Sequence, residues 1–154
     1  AVKVKKIMDH VVRGQFITQT EGNTIELFDG SYRTGFKVVE FHISFPSRDD
    51  TTIEVASAKL ATFEMGSISG NNRIWNWGDS REIAWAETKW DANSLTSPNM
   101  SRSVIDPTNM IIEDLYVSGY SSDDNEVINY LIVLEKYALD EYDGVLTMVR
   151  NQYE

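Results

Sequence analysis

All four tryptophans of the 154-residue chain fall in one stretch, NNRIWNWGDSREIAWAETKW, residues 71–90. Clustered indoles can stack on the faces of sugars or bases, with neighbouring polar side chains supplying hydrogen bonds. In that chemistry Trp75, Trp77, Trp85 and Trp90 would be stacking surfaces, and Asp79 and Arg81 would fix the orientation of a carbohydrate or receptor ligand. Aromatic side chains also fill β-sandwiches, and burial in a core or subunit interface is the favoured reading of this cluster. Trp75 and Trp77 share strand parity, GDSR reads as a turn, and Trp85 and Trp90 follow on opposite parities. The four are therefore expected on two adjacent strands, with at least one indole exposed.

Other chemistry is sparse. Asp79 and Glu82 have the types of an acid/base pair, but among 24 acidic residues their proximity carries little weight. His10 and His42 are the only histidines. Neither belongs to a local metal or Ser/His/Asp motif, and His42 falls on the polar side of an alternating strand. The run DDNE at 123–126 could ligate calcium, yet it lacks the ordered spacing and glycine of a dedicated loop and reads as an acidic turn. There is no dinucleotide fingerprint, phosphate loop, nucleophile elbow or internal repeat. The absence of cysteine excludes disulfides, thiolate nucleophiles and sulfur-ligated metals. No catalytic residue, metal site or cofactor is expected, and the chain reads as non-enzymatic.

The formal charge of −10 opposes binding to the outside of nucleic acid. Its distribution is uneven: residues 1–13 carry a net +3 and residues 106–154 a net −9. The two ends are expected to attract one another, within one subunit or between neighbours. Lys3, Lys5 and Lys6 would then be assembly residues on a basic N-terminal arm that gains order from a partner.

These side chains are to be positioned mainly by strands. QFITQT and TIELF, divided by EGN, read as a hairpin within an N-terminal meander. In GFKVVEFHISF, Val39, Phe41, Ile43 and Phe45 alternate with polar or smaller neighbours. TTIEVASAKLATFEM reads as one long or bent strand carrying Ile53, Val55, Phe63 and Met65 on one face. Residues 94–109 read as a polar connection. MIIEDLYVSGY and EVINYLIVLEKY, separated by SSDDN, read as the clearest hairpin, with Ile128, Tyr130, Ile132 and Leu134 on one parity.

From residue 140 the period changes. Asp140 and Asp143 resemble an acidic cap, and Tyr142, Val145, Leu146, Val149 and Tyr153 recur at helical spacing over 140–154. The helix is expected to close the sandwich or dock on a neighbour, so Tyr142, Val145 and Val149 join the assembly residues. The whole, residues 1–154, is expected to be a single all-β domain: an antiparallel β-sandwich, jelly-roll-like in one form, with a short C-terminal amphipathic helix. No apolar run approaches the roughly 18 residues of a membrane span, and neither a span nor an export signal is expected.

The runs IDPTNMIIEDLYVSGY and VINYLIVLEKYALDEYDGVLTMVRNQ resemble the C-terminal parts of small β-rich virion structural proteins from environmental viruses. The resemblance covers about a third of the chain and carries no catalytic motif. It implies a virion location and a capsid, coat or surface role, with copies of the chain, other virion proteins or surface glycans as partners. The alternative expectation is a carbohydrate- or receptor-binding module built on the tryptophans.

Overall fold

The computed structural model describes residues 5–46, 53–68, 75–91, 100–123 and 125–152. Its strands are β1 (Lys5–Ile17), β2 (Asn23–Ile25), β3 (Thr34–Ser44), β4 (Ile53–Ala61), β5 (Glu82–Asp91), β6 (Met100–Ile105), β7 (Leu115–Ser121) and β8 (Val127–Ala138). One helix, α1 (Glu141–Gln152), follows. The strands form a three-stranded sheet, β1-β8-β3, and a five-stranded sheet, β2-β7-β4-β5-β6, with every pairing antiparallel. The chain is an all-β sandwich.

Pairing is nested: the first strand joins the last, the second the seventh, and the fourth the fifth. β3 and β6 lie side by side where the sheets meet, and the Ser101 hydroxyl donates to the Ile43 carbonyl at 3.4 Å. Nesting of this kind is found in jelly rolls, and here β6 pairs with β5 within the five-stranded sheet.

The core lies between the sheets. Ile128, Tyr130, Ile132 and Leu134 from β8, with Val38, Phe41 and Ile43 from β3, meet a layer of Ala56, Ala58, Leu60, Ala84, Ala86 and Val117. Large residues in one layer opposite small ones in the other allow close packing without voids. Gly119 belongs to the same economy of space, because a Cβ there would lie 2.9 Å from the Phe16 ring.

Several sequence expectations are corrected. β1 and β2 belong to different sheets, so the N-terminal third is not a meander, and β7 and β8 likewise pass from one sheet to the other and form no hairpin. Short turns occur in both linkages, and a sandwich crossover uses the same turn chemistry as a hairpin. A bulge between Val38 and Glu40 shifts β3's parity, placing Val38 in the core where Val39 was expected. On β4 the buried face is Ala56, Ala58 and Leu60, and Val55 is exposed. The polar 94–109 region contains β6.

The basic arm is also corrected from Lys5 onward. Residues 5–13 are the first part of β1, registered against β8. Lys6 pairs with Asp9 at 2.9 Å and with Glu135 at 2.7 Å, so the attraction between the chain's ends is made inside one molecule. Lys6 and, after it, Tyr137 hold the Glu135 carboxyl below its ordinary range. Lys3 lies outside the described residues.

α1 starts as its sequence implies, with the Asp143 amide donating to Asp140 Oδ1 at 2.8 Å. The helix docks on its less apolar side. Gly144 sits so tightly against Tyr32 that a Cβ would fall 1.5 Å from its carbonyl oxygen. The buried Asn151 accepts from the Ile112 amide at 3.1 Å and donates to the Met110 carbonyl at 2.8 Å. Tyr142, Val145, Leu146 and Val149 are left exposed.

Asn151→Ala should therefore cost about 2 kcal/mol in urea unfolding, because it orphans the buried Ile112 amide and the half-buried Met110 carbonyl. Tyr142→Ala, at a side chain 74% exposed, should stay within about 0.5 kcal/mol.

Candidate functional site

Alternation along the five-stranded sheet places Tyr120, Ser57, Glu87 and Arg102 in one transverse row on its outer face. Ser118, Lys59, Trp85 and Val104 form the next row. The segment 75–81, which is loop and turn, folds back over these rows. Trp75 donates its indole N–H to the Ser57 hydroxyl at 2.9 Å and stacks with Trp77 at a centroid distance of 6.4 Å. Trp77 meets Trp85 edge-on at 6.0 Å. The Arg102 guanidinium lies 5.4 Å from the Trp75 ring centroid and also bonds Glu87.

Beneath the loop, Glu82 is 4% exposed and acts as its anchor. Its Oε2 accepts from Lys59 Nζ at 3.1 Å, and its Oε1 accepts from the Trp85 indole at 2.8 Å and from the Asn76 amide at 3.1 Å. A buried carboxylate survives when a cation and further donors replace its water, and this one has both. Asp79 shapes the turn itself, accepting from the Arg81 amide and from two guanidinium nitrogens at 2.8–3.0 Å. Arg81 also caps the Phe63 ring at 4.0 Å.

Between loop and sheet lies a cleft of about 580 Å³ lined by Trp75, Trp77, Tyr120, Arg102, Glu87, Ser57, Val55 and Ser122. That volume suits a small ligand, with aromatic walls and a few polar groups to orient it. Trp77 is 66% exposed, which meets the expectation of at least one accessible indole.

The expected strand placement of Trp75 and Trp77 is overturned: they reach the sheet from a loop, because Glu82, at the start of β5, captures the Asn76 backbone. Trp85 is buried beneath them, and Trp90 lies on the opposite parity of β5 and does not line the cleft. Asp79 and Arg81 bind each other and hold the turn; they do not line the cleft either. Sequence reading missed Tyr120, Arg102, Glu87 and Ser57, which come from four strands and share no local motif. His10 packs against Phe36 with centroids 6.0 Å apart, and His42 pairs with Glu40 at 3.1 Å on the outer face of the other sheet.

A second group of acidic side chains lies at the start of β4. Glu54, Asp123 and Glu126 each present a carboxylate oxygen within 4.8 Å of the others, a set that could hold a cation. The turn residues were visible in DDNE; Glu54, from a distant strand, was not. Burial first, then Glu126 and Asp123, pushes Glu54 up to about 7.

No family model matches the chain, and no curated protein matches it.

Two outcomes follow. Glu82→Ala strips Lys59, Trp85 and Asn76 of their shared acceptor; it should cost about 3–5 kcal/mol and shift tryptophan emission to the red as the loop loosens. Separately, Glu54 retains a proton in the folded chain between pH 4.5 and about 7, where the unfolded chain has released it. Its contribution to stability therefore falls as pH rises through that window. Without added divalent cations, melting temperature should drop between pH 5 and pH 7.5 by a margin that Glu54→Gln reduces.

Proposed function

We propose that the protein is a non-enzymatic structural protein that assembles with copies of itself, as a virion coat or surface component. The observation that carries this reading is α1. Its apolar residues, Tyr142, Val145, Leu146 and Val149, recur at helical spacing on the side facing solvent, while Gly144 and Asn151 make the inward contacts. A helix held by its polar side leaves its hydrophobic stripe for another surface. β1 adds to it: an edge strand of the three-stranded sheet, it exposes Ile7, Met8 and Val11. An open apolar edge of this kind favours strand pairing or packing between chains. Jelly-roll sandwiches occur in viral shells and in lectins alike, so the virion setting rests on the resemblance of the C-terminal third and not on the fold.

Size-exclusion chromatography with light scattering, over a range of protein and salt concentrations, should show a discrete oligomer. Leu146→Glu combined with Val149→Glu should yield monomer with an unchanged β spectrum. A wild-type chain that stays monomeric at high concentration and every salt overturns the reading.

The cleft favours a second reading, a carbohydrate-binding module in which Trp77 and Trp75 stack on a sugar and Glu87, Arg102 and Ser57 orient its hydroxyls. Iodide should quench an accessible indole, and Trp77→Ala should abolish binding to any glycan that a broad array retains. Shielded indoles or an array without binding remove this reading while leaving the first intact.

A further inference from the structure

Glu54, Asp123 and Glu126 pose a problem that their own neighbourhood does not solve. Glu54 is only 5% exposed, yet its Oε2 is shut off from solvent and meets no hydrogen-bond donor among the described residues. Glu126 Oε2 is in the same condition. Both carboxylates point into the set in which the three oxygens lie within 4.8 Å of one another. A buried carboxylate oxygen without a donor, facing two more acids, is costly in its ionised form unless a positive charge sits between them.

We propose that Glu54, Asp123 and Glu126 form a calcium site. The donors are all hard oxygens, with no imidazole or sulfur, which selects calcium or magnesium over zinc and copper. Oxygens on opposite sides of one calcium ion stand about 4.6–5.2 Å apart, twice the bond length, so three within 4.8 Å can share an ion. Three carboxylates on a strand end and a turn, with water completing the shell, suit the adaptable coordination of calcium better than the strict octahedron of magnesium.

The surrounding bonds hold the ligands in place. The Glu126 amide donates to the Thr18 hydroxyl at 2.9 Å, the Thr18 amide to the Glu126 carbonyl at 2.8 Å, and Thr18 and Ser121 share a hydroxyl contact at 2.9 Å. Next to the ligands, Val55 and Ser122 bond each other through the Ser122 amide at 2.9 Å and the Ser122 hydroxyl at 3.1 Å. Both line the tryptophan cleft. The ion would clasp the first residues of β4 to the crossover from β7 to β8, joining the two sheets beside one end of the cleft.

The test uses the full chain, stripped with chelator and held at one pH near neutrality. Calcium chloride should raise its melting temperature by about 5–10 °C at a hundredfold excess over Kd. Terbium, a luminescent stand-in for calcium, should give indole-sensitised emission, because Trp90 is directly opposite Glu54 on the β4–β5 ladder. Calcium should displace it, and Trp90→Phe should dim it severalfold. Glu54→Gln and Glu126→Gln should each fold and lose both responses; two variants guard against one failing to fold. The proposal is overturned if millimolar calcium leaves the wild-type melt unchanged, or if either folded variant keeps the response. An equal response to magnesium overturns the assignment to calcium.

Discussion

The fold depends on one buried row. Ile128, Tyr130, Ile132 and Leu134 point from β8 into the sandwich, and the same strand gives one edge to β1 and the other to β3. Any register slip of β8 by one residue would turn this row outward and bring Asn129, Leu131 and Val133 inward, losing both the core and two ladders. Gly14 shows how closely the neighbours follow that row: a Cβ there would stand 2.8 Å from the Tyr130 hydroxyl. The position of every element in the three-stranded sheet is thus set by side chains on its middle strand.

β4 plays a different part, since it carries a buried ionisable side chain towards each side of its sheet. Lys59 points outward and is neutralised by Glu82, and the tryptophan loop seals that pair from water. Glu54 lies on the other parity, and among the described residues its carboxylate faces two further acids. The contrast is informative because burial asks the same of both: a partner that restores what water supplied. The first partner is encoded in the chain, and the second would be the proposed ion.

What could be read from the sequence was whatever depended on near neighbours. Period-two alternation on β8, the Asp140 cap and the helical spacing after it are local patterns, and all three are present in the structure. The face of β4 was misread because its core residues are alanines, whose small side chains carry little hydrophobic signal beside Val55 and Phe63. The hairpins were misread because a turn does not disclose whether its strands share a sheet. The cleft was half legible: the tryptophans announced themselves, but Tyr120 and Arg102 reach them only through strand pairing across the sheet, and Glu54 reaches DDNE in the same way. Nested order makes the most important pairings the least local ones.

That order has a kinetic side. β8 is the middle of the three-stranded sheet and the last strand in the chain, so β1 and β3 have no neighbour in that sheet until residues 127–138 have been synthesised. The five-stranded sheet is less constrained, because β4, β5 and β6 pair in sequence and can begin to associate as they emerge. A growing chain would therefore carry half a sandwich with its apolar face uncovered, and completion would wait for loop closures spanning most of its length. Such a protein folds slowly, largely after synthesis, and passes through a stage at which chaperones, or premature contact with its own copies, compete for the same exposed surface.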